Sequence, residues 1–192
     1  MIGRAIGWLL IVFVRLLLGA KVRGQGFERL HGQCIYVANH TSHLDVLRLL
    51  ATLPTPLRQC TRPVAAEEYW SAGPVRRLLI HSIFRGVLIE RERTQLNPLE
   101  PVANALREGD SLIFFPEGTR GPGGTLQPLK PGIFYLARWF PEVDIVPVWI
   151  DPATVFQWRR SIAFGSPMRW KEGQQQDEFL SRVRVALESL RP

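Results

Sequence analysis

Apolar residues in this chain fall into short blocks separated by polar turns, and the blocks predict strands and helices in alternation. Residues 34–38 (CIYVA) and 111–115 (SLIFF) are mostly apolar runs, which are typical of strands buried on both faces. Residues 44–53 instead place leucine and valine at helical spacing, and a proline follows directly. Residues 60–65 and 86–91 are further candidate strands. The first half of the chain therefore predicts strands connected by helices.

The second half continues this alternation. In chain order, the pattern predicts a helix at 75–84, a helix at 97–107 capped by Asn97, a helix at 133–140, a strand at 144–150 broken by Pro147, a strand at 161–164 and a helix at 177–190. Strands that are apolar on both faces and alternate with helices predict one α/β domain with a mostly parallel central sheet flanked by helices. In such sheets, functional groups collect where the strands end.

The first twenty residues differ from the rest of the chain. Residues 5–20 are apolar except for Arg15, and Arg4 and Lys21 flank them. The stretch is shorter than the roughly 20 apolar residues of a spanning helix, and Arg15 would be costly at the centre of a bilayer. We therefore predict a membrane-interface helix at 1–20 followed by one folded domain at 21–192. The alternative is a packing helix of a soluble domain.

The charge and the cysteines limit the possible partners. The chain has 24 Lys and Arg against 17 Asp and Glu, a net charge of +7, which favours phosphorylated substrates, anionic lipid or nucleic acid. The basic residues are scattered and form no known reading motif, so we do not expect nucleic-acid binding. Cys34 and Cys60 have no CxxC spacing. We interpret them as two inert, buried thiols of a protein in a reducing compartment.

His40 and Asp45 are the first candidates for chemistry. His40 follows a predicted strand, and Asp45 would lie in the first turn of the next helix, close enough to orient the imidazole. A histidine held in this way can act as a general base. Two alternatives remain open at this point. Asp45 could simply cap the helix, or His43 could join His40 and Asp45 in a metal site.

A second candidate site follows the strand at 111–115. Residues 115–120 (FPEGTR) leave the strand through a Pro and a Gly, and Arg120 can bind a phosphate with two parallel hydrogen bonds. Glu117 could hold that guanidinium or bond a substrate hydroxyl. Arg91 and Lys130 could add positive charge. The alternative is an ordinary turn with surface ions.

The motifs together resemble those of the glycerolipid acyltransferases, in particular the 1-acylglycerol-3-phosphate branch. Residues 39–45 (NHTSHLD) are similar to the family's NHxxxxD block, residues 86–91 (GVLIER) to its second block, and residues 115–120 match its third. Residues 146–148 (VPV) resemble the fourth. The second block commonly ends in Asp-Arg, and here a Glu precedes the Arg. The chain contains no GxSxG, so a serine hydrolase of the α/β type would lack its nucleophile, and no GxxxxGK(S/T) or GxGxxG loop for nucleotide phosphates.

The resemblance implies roles for individual residues. His40 is the base and Asp45 orients it, while the acceptor's glycerol phosphate is held by a set of substrate-binding residues: Arg91, Glu117, Gly118, Thr119, Arg120 and Lys130. The implied reaction acylates the sn-2 hydroxyl of 1-acylglycerol-3-phosphate from acyl-CoA or acyl carrier protein, giving phosphatidic acid for phospholipid synthesis. No metal or cofactor is implied, and we expect the protein at the cytoplasmic face of the cell membrane. The alternatives are another lysolipid acceptor or a non-catalytic membrane-binding relative.

Overall fold

A computed structural model of the chain describes residues 21–90, 97–121, 125–151 and 161–192. The strands in these residues are β1 (Lys21–Arg23), β2 (Cys34–Ala38), β3 (Thr61–Ala66), β4 (Val87–Ile89), β5 (Ser111–Phe114), β6 (Asp144–Ile150) and β7 (Ser161–Phe164). The α-helices are α1 (Asp45–Thr52), α2 (Thr55–Gln59), α3 (Glu67–Trp70), α4 (Pro74–Leu78), α5 (Glu100–Arg107), α6 (Gly132–Trp139) and α7 (Gln176–Glu188). A 3₁₀ turn (Gln25–Arg29) follows β1, and a π-helical turn (Leu79–Ile83) continues α4. None of the described helices is long and apolar enough to cross a bilayer.

The strands form one sheet in the order β1-β7-β6-β2-β5-β3-β4. Every neighbouring pair is parallel except β6 and β7, which run antiparallel. The predicted α/β domain with a mostly parallel sheet is therefore confirmed. Because β2, β5, β3 and β4 are adjacent and parallel, the loops that follow them leave the same edge of the sheet. The predicted membrane-interface helix at 1–20 lies outside the described residues.

Helices cover both faces of the sheet, and alternate strand residues face opposite layers. On one face, Ile35 and Leu112 pack with a cluster that includes α5, α6 and α7. On the other face, Tyr36 and Ile113 pack with α1 and with the turn after α4. The central strands β2 and β5 are buried along their whole length. They therefore provide a rigid base for the loops at their ends.

The prediction that Pro147 breaks its strand was wrong, because β6 continues through it. The Pro147 carbonyl accepts a hydrogen bond from Gly165 N–H, so the side of the strand that lacks an N–H faces the end of β7. The antiparallel register shifts by one residue between the Val148–Phe164 pair and the Ile145–Met168 bridge. This shift is a β-bulge directly beside Pro147, and prolines within sheets are largely confined to edge strands and bulges.

Two smaller predictions also needed correction. Asn97 does not cap α5, which begins at Glu100. Its side-chain oxygen instead accepts the Leu99 N–H and its carbonyl accepts the Glu100 N–H, which makes a separate turn. Cys34 is buried, and burial raises the pKa of its thiol to about 11, but Cys60 is exposed after α2. Cys60 is therefore not the buried thiol that the sequence analysis predicted.

Candidate active site

His40 and Asp45 form a hydrogen-bonded pair at the end of β2. The His40 Nδ1 and Asp45 Oδ2 atoms are 3.1 Å apart, and Asp45 is fully buried in the first turn of α1. The same Oδ2 accepts the N–H groups of Thr41 and Ser42, each at 2.7 Å. Since a carboxylate only accepts, Nδ1 carries the proton of the neutral imidazole. The opposite nitrogen, Nε2, is therefore left with a lone pair, as a general base requires.

Two neighbours fix the position of the His40 ring. The Asn39 side chain joins β2 to β6, because its Oδ1 accepts the Ile150 N–H at 2.7 Å and its Nδ2 donates to the Ile150 carbonyl at 3.0 Å. The Phe115 ring stacks on the imidazole, with 4.1 Å between the ring centroids. Sequence reasoning assigned neither residue a role. The signals for Asn39 were its position directly after an apolar strand and its place as the first residue of the NHxxxxD block.

The loop at 115–121 forms hydrogen bonds with both backbone polar groups of His40. Glu117 Oε1 accepts the His40 N–H at 2.7 Å, and the Gly121 N–H donates to the His40 carbonyl at 3.0 Å. The second carboxylate oxygen of Glu117 accepts the Gln127 N–H at 2.7 Å. The two candidate sites of the sequence are thus joined by direct hydrogen bonds. Their adjacency follows from the neighbouring parallel strands β2 and β5.

Glu117 has partners that the sequence did not suggest. It is buried, and burial raises the pKa of its carboxyl, although the two amide hydrogen bonds and nearby charges oppose that shift. Arg184 of α7 supports the same region by donating to the carbonyls of Leu126 and Gln127. Both carboxylate oxygens of Glu117 hold backbone amides. Its contact with the acceptor stays a prediction.

Gly118 and Lys130 lie together in the same loop. Gly118 has φ of +71°, and a Cβ added there would lie 2.8 Å from Lys130 Cε and Nζ. The Lys130 N–H donates to the Pro116 carbonyl at 2.8 Å, which places its side chain over the glycine. Thr119 is exposed at the tip of the turn. A lysine ammonium therefore lies beside the backbone that the sequence assigned to the acceptor phosphate.

Replacing Gly118 with alanine should lower the free energy of unfolding by about 1–2 kcal/mol, because a side chain disfavours this left-handed conformation. Thermal unfolding measures the effect. Gly73→Ala is the control, since an added Cβ at Gly73 meets no atom within 4 Å and no left-handed φ is involved. Equal shifts for the two variants would contradict a conformational requirement at Gly118.

Arg120 contacts His43 and Tyr69, whereas the sequence suggested that Glu117 could hold its guanidinium. Its Nη1 contacts His43 Nε2, and its guanidinium carbon lies 5.7 Å from the centre of the Tyr69 ring. The Tyr69 hydroxyl is 3.1 Å from His43 Nδ1. Arg91 lies outside the described residues. Of the predicted site residues, the structure brings together His40, Asp45, Glu117, Gly118, Arg120 and Lys130 along one edge of the sheet.

In the structure, His43 contacts side chains other than the ligands of the alternative metal site. Both of its ring nitrogens contact other side chains, Tyr69 and Arg120, while Nδ1 of His40 is paired with Asp45. Among the described residues, no three His, Cys, Asp or Glu side chains are grouped as metal ligands. The two histidines of the NHxxxxD block thus have different hydrogen-bond partners.

Known proteins resemble this chain in sequence. The family model described as Acyltransferase matches residues 20–151. Mouse 1-acyl-sn-glycerol-3-phosphate acyltransferase alpha is 30% identical over 84% of this chain and 56% of its own length. The human alpha protein is 31% identical over 82% of this chain and 55% of its own length. The chain therefore spans about half the length of these curated relatives.

One solved structure resembles the fold. The crystal structure of the 1-acyl-sn-glycerophosphate (LPA) acyltransferase PlsC from Thermotoga maritima superposes with a TM-score of 0.72. The alignment covers 96% of this chain and 77% of that protein, at 22% sequence identity. At this identity the likeness supports the fold, and the chemistry has to be argued from the residues above.

Proposed function

The chain belongs to the acyltransferase family, and from this we propose that it transfers a fatty acyl group from a thioester donor to the sn-2 hydroxyl of 1-acylglycerol-3-phosphate, giving phosphatidic acid. The named relatives are 1-acyl-sn-glycerol-3-phosphate acyltransferases, which supports this acceptor. The donor is acyl-CoA or acyl carrier protein. Because a thioester is already activated, the reaction needs a base and a well-placed acceptor, and we propose no resident metal or cofactor.

His40 performs the proton transfers of this reaction. The acceptor hydroxyl gives its proton to His40 Nε2 while its oxygen attacks the carbonyl carbon of the thioester. The tetrahedral intermediate then breaks its carbon–sulfur bond, and the leaving thiolate takes the proton back from Nε2. Between these steps the imidazolium is stabilised by Asp45, 3.1 Å from Nδ1. The acyl group passes directly to the acceptor, so the protein needs no nucleophile of its own.

The observation that carries the proposal is the pair of hydrogen bonds between His40 and the loop at 115–121. Glu117 and Gly121 hold the N–H and the carbonyl of the base, and Arg120 lies between these two residues in the same loop. A phosphate bound by Arg120 is therefore held at a fixed position relative to the base. Such positioning is a major source of rate enhancement when one substrate is an unactivated hydroxyl.

A panel of acceptors tests the proposed function. The purified full chain is given one acyl-CoA or the matching acyl carrier protein, together with lysophosphatidate, lysophosphatidylethanolamine or lysophosphatidylglycerol. We expect phosphatidic acid to form with the highest kcat/KM. Faster acylation of another lysolipid would show that this lysolipid, and not lysophosphatidate, is the preferred acceptor. No product from any acceptor with either donor would favour the non-catalytic alternative.

We also propose that the protein works at the cytoplasmic face of the cell membrane. The net charge of +7 suits anionic headgroups, and Leu44 is exposed beside His43 at the site. Cys34 and Cys60 are free thiols, which agrees with a reducing compartment.

Deleting residues 1–20 should release the protein into the soluble fraction, because the chain would lose the apolar stretch at 5–20. Flotation with vesicles containing anionic lipid measures the change, at low and at physiological salt. Deletion of residues 1–4, which removes Arg4 but keeps the hydrophobic stretch at 5–20, is the control. Unchanged vesicle binding after loss of residues 1–20 would contradict the role of this segment.

A further inference from the structure

Four side chains form a basic and aromatic cluster beside His40, which we name the Tyr69 cluster: His43, Tyr69, Arg76 and Arg120. The rings of His43 and Tyr69 are stacked, with centroids 5.4 Å apart. The guanidinium carbon of Arg76 lies 4.4 Å from the centre of the Tyr69 ring, and that of Arg120 lies 5.7 Å from it. The two helices after β3, α3 and α4, thus add Tyr69 and Arg76 to a site that the sequence placed only after β2, β4 and β5.

The protons of the Tyr69 cluster follow from its contacts. A guanidinium can only donate, so His43 Nε2 accepts from Arg120 and the imidazole is neutral. Burial lowers the pKa of His43, and the charges of Arg120 and Arg76 lower it further, with a small opposing effect from Asp45. The proton of neutral His43 is then on Nδ1 and donates to the Tyr69 oxygen at 3.1 Å. Tyr69 keeps its own O–H as a donor to a ligand.

Neither Arg76 nor Arg120 forms an ion pair with a carboxylate in the described part of the chain. The ion pairs found there join other arginines, such as Arg62, Arg107 and Arg169, to acidic side chains. Arg76 donates only one described hydrogen bond, from Nη1 to the Tyr69 carbonyl at 3.2 Å. Its remaining N–H groups are available. Two guanidinium groups against one aromatic ring repel each other, and a bound anion removes that repulsion.

We propose that Arg76 and Tyr69 complete the acceptor site together with Arg120, and that they select a phosphomonoester over a phosphodiester. This inference rests on the proposed function. A phosphomonoester carries about two negative charges near neutral pH, whereas the phosphodiester of other lysophospholipids carries one. Two guanidinium groups and a hydroxyl donor match the dianion and leave excess positive charge against the monoanion. His43 positions Arg120 and does not itself contact the phosphate.

Arg76→Ala tests the proposal against a matched control, Arg77→Ala. Both residues are exposed on α4, but Arg77 donates to the Ser71 carbonyl and does not contact Tyr69. For Arg76→Ala we expect a rise of about 10-fold in the KM for lysophosphatidate, since a lost charge-assisted hydrogen bond is of that order. The KM for lysophosphatidylglycerol should change less than threefold, as should the KM for the acyl donor. Arg77→Ala should match the wild type.

Each outcome of this experiment bears on one claim. If wild-type protein does not acylate lysophosphatidate, the proposed function fails before the variants are compared. If wild-type protein does acylate lysophosphatidate, but Arg76→Ala behaves like Arg77→Ala, the inference about Arg76 is wrong while the proposed function stands. A rise confined to the KM for the donor would place the donor's phosphates at the cluster and also overturn it. Tyr69→Phe, which keeps the ring and loses the hydroxyl, should show a smaller rise in the same KM.

Discussion

His40→Ala is expected to lower kcat by about 10²- to 10⁴-fold, the usual contribution of a positioned general base. The variant should remain folded. Asp45 keeps its hydrogen bonds to the Thr41 and Ser42 amides, so its buried Oδ2 is not left unpaired. The His40 side chain is 21% exposed and its main packing contact is the Phe115 ring. We therefore expect a loss of about 1 kcal/mol in stability, or about 2–4 °C in Tm for a chain of this size.

Steady-state kinetics with saturating donor and acceptor, together with thermal unfolding, separates these effects. His31→Ala is a suitable control, because His31 is exposed ahead of β2 and lies outside the site. It should keep the kcat of the wild type. A kcat for His40→Ala within threefold of the wild type would show that another group takes the hydroxyl proton, and the base assignment would then be withdrawn.

The sequence predicted the central part of the site because its signals are local. An apolar strand followed by His40, with Asp45 five residues later, brings the carboxylate back to the imidazole within one turn. The fully buried strands β2 and β5 were readable as apolar runs, so the ends of both strands were predicted as functional. The Pro147 error has the same origin. The sequence shows a proline at position 147. It does not show the register between β6 and its antiparallel neighbour, which determines whether the strand can continue through that proline.

Tyr69 and Arg76 were not predictable in this way. Their place at the site depends on the strand order, in which β3 lies directly beside β5 although β4 and α5 separate them in the chain. An EEYW segment after a strand has no distinctive pattern of its own. Glu117 shows a related limit. Its spacing to Arg120 suggested an ion pair, whereas the fold turns its carboxylate inward to amides at His40 and Gln127.

Ionisation of the buried Glu117 carboxyl makes the stability of the fold depend on pH. Burial raises its pKa in the folded state above the unfolded value. Its contribution to stability is therefore present below the unfolded pKa and is lost as the pH rises through the folded pKa. The contacts point to the positioning of His40, whose N–H it binds at 2.7 Å.

Glu117→Ala is therefore expected to lower kcat by about 100-fold, the order of loss that follows a displacement of about 1 Å in a catalytic group. The KM for lysophosphatidate should change less than threefold, because the carboxylate oxygens face the backbone amides of His40 and Gln127. Glu117→Gln should be intermediate, since an amide side chain can accept from only one of these N–H groups with its single oxygen. The NH₂ group of that side chain would then face the second backbone N–H, from which it cannot accept a hydrogen bond.

Kinetics as a function of acceptor concentration decides between positioning and substrate binding. Glu108→Gln is the control, because Glu108 is exposed and pairs only with Arg62 among the described residues. If Glu117 holds the acceptor, as the family resemblance implies, the KM for lysophosphatidate should rise at least 10-fold while kcat at saturation is largely kept. A fall in kcat at constant KM, partly restored in the Gln variant, assigns Glu117 to the backbone of His40. The base and the loop that carries Arg120 then act as one unit, because the Glu117 carboxylate and the Gly121 N–H both hold the backbone of His40.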